Sequence, residues 1–290
     1  MNDITMIGHI SRDILIYQKS EIRMTGGAVI YSSAAAARSG KQVQVITRAS
    51  KDAEKELDGM RANGIQVIRL ESQATTSIEN RYFSADKEKR EVTLLSQADP
   101  FTIESLPVTD SRIYHLAGLF VGEIPDEFIS YFEKKAEVGI DAQGVLRCSK
   151  NGKLLFRDWE VKKELLPMVT YLKTDAAEAE ILTGTPDREK AAGLLASWGA
   201  KEVMVTHNSE VLVFAGGTIH RAPYTPSNLS GRTGRGDTTF AAYLAWRLDH
   251  DPEESTRYAA ALCSIKMETP GPFNGTVEDV KARMKRDQNT

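Results

Sequence analysis

Two cysteines, Cys148 and Cys263, are all that this chain of 290 residues contains, and they stand far apart. That excludes a disulfide framework and a cysteine zinc quartet, and it fits a reducing compartment, so a cytoplasmic location is expected. Long apolar runs are also missing. The N-terminus passes quickly into charged and polar residues, and no later segment resembles a membrane span, so neither secretion nor membrane attachment is expected. There is no large excess of either charge: 37 Lys and Arg against 40 Asp and Glu leave a net charge of -3. A whole-molecule field of that size gives no reason to expect nucleic acid as a partner. The 5 histidines share no ligand spacing, which makes zinc hydrolysis a poor reading. A P-loop of the form Gly-x-x-x-x-Gly-Lys-Ser/Thr is absent, and Gly8-His9-Ile10 does not begin a Gly-x-Gly-x-x-Gly dinucleotide signature.

What is present is enough apolar residue, 41% against 27% charged, to bury the core of one large αβ domain spanning residues 1–290. No linker, tandem repeat or low-complexity tract interrupts it. Short apolar runs at residues 4–7, 43–47, 65–70, 113–116, 139–141, 169–172 and 203–206 read as strands. Between them, residues 28–38, 52–63, 128–137, 176–182 and 189–198 read as helices, an alternation that predicts βα units on a parallel sheet. Residues 211–214 and 218–220 are expected to pair across Gly216-Gly217. Residues 75–95 change character: Tyr82-Phe83 and residues 92–95 are strand candidates around the charged stretch 86–91. With residues 14–25 they form either a small lid or an ordinary surface hairpin.

The most informative segment is Gly231-Arg232-Thr233-Gly234-Arg235-Gly236-Asp237. Its glycines let the backbone turn tightly and bring N–H groups to an anion. Phe240, Ala241, Leu244, Ala245 and Leu248 then recur at helical spacing, which puts Asp237 at the start of a helix. Asp237 there is either a helix cap or a base. Arg232 and Arg235 add the positive charge that a transferring phosphoryl group requires.

This segment resembles the phosphoryl-transfer signature of the ribokinase-like, or PfkB, carbohydrate kinases. The resemblance spans nearly the whole chain and implies a three-layer α/β fold with a central, mostly parallel sheet and a small β lid. It further implies that Gly234, Arg235 and Gly236 form an anion hole and that Asp237 is the general base. Asp13 matches the family's substrate-binding aspartate, and Gly26-Gly27 its substrate-facing diglycine. Asp175-Ala176-Ala177-Glu178 is similar to the family's Asn-x-x-Glu motif for organising Mg2+, although ordinary first-turn acidic residues explain much of the same pattern. Thr206, Arg232 and Lys266 fall on the nucleotide side. Residues 141–147, Asp-Ala-Gln-Gly-Val-Leu-Arg, look similar to a segment of inositol-kinase-like proteins, with Arg147 facing substrate or phosphate. Three positions depart from the family pattern: Tyr31 and Asp175 stand where asparagine is usual, and Asn208 where glycine is common.

The expected activity is thus ATP- and Mg2+-dependent phosphorylation of a hydroxyl on a small polyol, sugar or nucleoside, by a monomer or a homodimer. Two other readings stay open on the sequence, a non-catalytic nucleotide- or sugar-binding sensor and a structural interaction protein.

Overall fold

The computed structural model describes residues 1–83 and 90–288, so part of the charged stretch at 86–91 lies outside the described residues. Nine strands build the main sheet: β1 (Asn2–Ile7), β4 (Val43–Ala49), β5 (Gln66–Glu71), β8 (Ser111–Leu116), β9 (Glu137–Asp141), β12 (Tyr171–Asp175), β13 (Glu202–Thr206), β14 (Glu210–Ala215) and β15 (Thr218–Pro223). Their order is β15-β14-β13-β12-β9-β8-β1-β4-β5. Every pairing from β13 to β5 is parallel, and the β13–β14 and β14–β15 pairings are antiparallel, so β14 alone runs against the other strands of this sheet. The expected hairpin across Gly216-Gly217 is therefore present at the sheet edge.

Central strands such as β1 and β4 are buried over most of their length because helices cover both faces. One apolar core lies against α1 (Ala28–Arg38), α3 (Arg235–Arg247) and α4 (Pro252–Met267). The other lies on the opposite face, against α2 (Ala176–Thr183) and the helix Arg188–Ser197. Helix α1 matches its sequence-predicted bounds because its run of alanines and serines lets it pack closely against α3. No helix among the described residues is long and apolar enough to cross a membrane.

A second sheet has the order β10-β11-β7-β6-β2-β3. Its strands are β2 (Ser11–Tyr17), β3 (Ser20–Gly26), β6 (Thr76–Tyr82), β7 (Arg90–Ser96), β10 (Arg147–Lys150) and β11 (Lys153–Phe156). It takes in both segments expected to leave the body and adds a hairpin, β10–β11, that the sequence reading did not anticipate.

In the main sheet β1 lies between β8 and β4, so the strand order reverses beside it. Open α/β sheets bind ligands outside the carboxyl ends of their strands at such a reversal. Here that crevice is walled by the second sheet, forming a cleft of about 800 Å3.

Candidate active site

One wall of the cleft comes from β2 and its neighbours. Asp13 sits in β2 and accepts a hydrogen bond of 2.7 Å from the Ser11 hydroxyl. Gly26 ends β3 behind it, where a Cβ would collide with the Asp13 carboxylate; Gly26 supports Asp13 and does not itself line the cleft. Gly27 does line it, as the N-cap of α1 with φ of 100°. A Cβ on Gly27 would fall 2.6 Å from the His9 carbonyl oxygen, so only glycine brings the chain this close. Arg147 opens β10; its Nε donates to the Leu119 carbonyl at 2.7 Å, and its guanidinium lies 4.5 Å over the Phe120 ring. The second sheet completes this wall with Leu15, Ile78, Asn80, Tyr82 and Val92, none of which the sequence reading had assigned to a site.

The cleft floor is the start of α3. Gly234 is its N-cap, held in the left-handed region at φ 78°, and no side chain caps the helix. Asp237 lies in the first turn, so its carboxylate is not spent on capping and instead lines the cleft. Burial, then the neighbouring carboxylate of Asp141, push its pKa up to about 6 against the opposing pull of Lys173, Arg147 and Lys266. A carboxylate tuned upward beside the N–H groups of a helix start combines a proton acceptor with an anion cradle.

Beneath it lies a buried cluster that sequence reasoning missed. Lys173, 5% exposed in β12, places Nζ 3.0 Å from both carboxylate oxygens of Asp141 and 3.8 Å from Glu178 Oε2. Burial alone would lower its pKa, but Asp141 and Glu178 more than reverse that and keep it above the ordinary lysine value. A Cβ on Gly236 would approach the Lys173 ammonium to 3.2 Å, so that glycine keeps the cation close under the helix start. The available signal was a lysine inside an otherwise apolar strand, directly before an acidic motif.

Asp175 and Glu178 form a reciprocal capping box on α2. Asp175 Oδ1 accepts from the Glu178 N–H at 2.8 Å, and Glu178 Oε2 accepts from the Asp175 N–H at 2.7 Å. The helix-end reading of these acids is thus realised. Both still line the cleft, and burial pushes the Glu178 pKa up to about 7. Among the described residues no group of three or more metal-capable side chains gathers. Two carboxylates lining one cleft nevertheless suit magnesium, which keeps most of its waters and borrows further oxygens from a bound phosphate.

At the far end of the cleft Arg235 Nη1 and Arg232 Nη2 both reach Asn208 Oδ1, at 3.1 and 3.5 Å. Asn208, noted in the sequence as a departure, is therefore the post on which two guanidinium groups converge. Thr206 lines the cleft, although its hydroxyl lies 3.4 Å from the Thr174 carbonyl oxygen. Lys266 does not line it: only 1% exposed, its ammonium donates to the carbonyl oxygens of Gly231 and Thr233. Tyr31, the other departure, stands between the two halves of the site and packs its ring against Gly234.

A half-buried carboxylate at a helix start, with backbone N–H groups beside it in an open polar cleft, suits a small-molecule kinase. The chain belongs to the pfkB family of carbohydrate kinases, whose model matches residues 1–279. It is similar to a cytidine kinase of Thermococcus kodakarensis, 26% identical over 257 residues that cover 84% of this chain and 88% of that protein. Among solved structures it is similar to a pyrophosphate-dependent kinase of the ribokinase family, complexed with a pyrophosphate analog and myo-inositol. That match is 38% identical with a TM-score of 0.89, covering 96% of this chain and 99% of the other. The ribokinase of Arabidopsis thaliana complexed with ribose and ATP shares the fold at 20% identity and a TM-score of 0.77, over 98% and 99% of the two chains.

Proposed function

We propose that this kinase transfers a phosphoryl group from inorganic pyrophosphate to a hydroxyl of myo-inositol or a close cyclic polyol. The observation that carries the donor is the convergence of Arg232 and Arg235 on Asn208. Beside these cations the loop residues that line the cleft, Ser230, Thr233, Gly234 and Gly236, are polar or glycine, with Leu229 and the Tyr31 ring as the apolar surface. Two guanidinium groups and little apolar surface suit a compact polyanion better than a purine, which needs a flat apolar slot. The likeness to the inositol- and pyrophosphate-bound structure supports both halves of the reading, and residues 141–147 support the acceptor. ATP, expected from the sequence resemblance, is the competing donor.

In this mechanism Asp13 accepts hydrogen bonds from vicinal hydroxyls while the backbone at Gly27 lets the ring come close. Asp237 takes the proton of the attacking hydroxyl as the new O–P bond forms and the bond to the leaving phosphate breaks. The N–H groups at the start of α3, with Arg235, offset charge on the transferred group. Lys173, already paired with Asp141, keeps the floor from repelling it. Magnesium, held through Asp175 and Glu178, would supply charge neutralisation across the donor phosphates.

The test is a matrix of pyrophosphate or ATP against myo-inositol, ribose and cytidine, with product mass and phosphorus NMR as readouts. Inositol monophosphate formed from pyrophosphate, and lost in Asp237→Asn, is the expected result. Product from ATP alone would overturn the donor, and phosphorylation confined to ribose or cytidine would overturn the acceptor.

A further inference from the structure

Lys266 is a buried cation that the reaction scheme above leaves unused. It lies near the C-terminal end of α4, with its ammonium donating to the carbonyl oxygens of Gly231 and Thr233. The Tyr31 ring covers that ammonium at 5.0 Å and itself packs on Gly234. The same loop is tied to the end of α4 by the Gly231 N–H, which donates to the Met267 carbonyl at 2.8 Å, and by the Ser230 hydroxyl, which donates to the Glu268 carbonyl at 2.7 Å.

In a trans peptide the C=O of one residue and the N–H of the next point in opposite directions. Drawing the Thr233 carbonyl back onto Lys266 therefore aims the Gly234 N–H the other way, and the Gly231 carbonyl does the same for the N–H of Arg232. Gly234 and Arg232 both line the cleft. We propose that Lys266 is a positioning residue that serves as the internal cation of the phosphate loop, orienting its N–H groups toward the transferred phosphoryl group while Tyr31 seals it from water. The inference rests on this loop being the phosphoryl site and is independent of which donor fills it. The groups facing Lys266 are Cys263 on its own helix, Asp237 from α3 and the Tyr31 ring from α1. Burial pulls the lysine pKa down to about 8, so its charge is lost within a workable assay range.

Sulfate, which does not titrate near neutral pH, is the probe. Calorimetric sulfate affinity of the full chain is expected to fall about tenfold as pH rises from about 7 to 9.5, with a midpoint near that lysine, and to stay flat in Lys266→Arg. Lys266→Ala is expected to lose about 100-fold in turnover, with the acceptor KM unchanged, and to recover about tenfold of it with methylammonium. Full activity in Lys266→Ala, or a folded Lys266→Ala that methylammonium does not rescue, would overturn the proposal. Should Lys266→Ala fail to fold, the arginine variant decides: a wild-type decline in its sulfate affinity overturns the assignment, and a flat profile supports it. If no inositol product forms but sulfate behaves as described, the substrate reading fails and the role of Lys266 stands.

Discussion

The ring of Tyr31 occupies the space that any side chain on Gly234 would need: a Cβ built there overlaps three ring carbons. Gly234 also holds φ of 78°, a conformation that side chains with a Cβ adopt at a cost of about 1–2 kcal/mol. Chain conformation and close packing thus both demand glycine at the N-cap of α3.

Gly234→Ala is accordingly expected to cut turnover about 100-fold or more and to lower stability by about 2–3 kcal/mol. Initial rates and chemical denaturation check this. Near-normal turnover in a folded Gly234→Ala protein would show that the loop tolerates displacement, contrary to the packing.

As the proposed base, Asp237 is expected to set the acid limb of activity. With its pKa pushed up to about 6 in the free protein, kcat/KM is expected to be level above that pH and to fall about tenfold per unit below it, as the base is protonated. Asp237→Asn should abolish the limb and reduce turnover by about 100-fold or more while sulfate still binds. Its effect on stability has the opposite sign. The folded pKa lies above the unfolded value of about 3.9, so the stabilising contribution of the protonated acid is full below about pH 4 and is lost as pH rises through about 6. At pH 8 the buried charge is therefore a liability, and Asp237→Asn is expected to raise the melting temperature. A variant that is inactive and less stable at pH 8 would contradict this account.

Glu178 caps α2, and a conservative change separates that contact from the proposed magnesium role. Glutamine retains the capping geometry with the Asp175 N–H, so Glu178→Gln should fold normally, within about 1 kcal/mol of the parent. Loss of the charge should raise the magnesium concentration needed for half-maximal velocity several-fold. An unchanged magnesium titration would leave Glu178 as a helix cap only.

Much of this molecule was legible before its coordinates. Helix α1 reads to the residue because small side chains fill it and glycines bracket it, and the βα alternation follows from strands buried on both faces. The second sheet was harder to see. In β2 most residues are only half-buried, so no strict alternation marks it. The hairpin β10–β11 had one usable signal, Asn151-Gly152, whose positive φ angles of 52° and 79° make the two-residue turn that this dipeptide favours. Lys173 escaped notice because its partner Asp141 is a neighbour only once β9 and β12 lie side by side. The resemblance places Lys266 on the nucleotide side, but sequence spacing carries no information about which way a long side chain turns.

The two sheets differ in cover, and that difference bears on how the protein comes apart. Strand β1 is buried from Ile4 to Ile7, whereas β2, which follows it, is half-buried along nearly its whole length and pairs with β6. Opening of the second sheet alone exposes far less apolar surface than opening of the first, so it is the cheaper fluctuation. Backbone amides of β2, β3 and β6 are expected to exchange with deuterium well ahead of those of β1, β8 and β12, and equal protection would refute this. Gentle denaturation should then release the alcohol while the anion-binding loop still holds its guest.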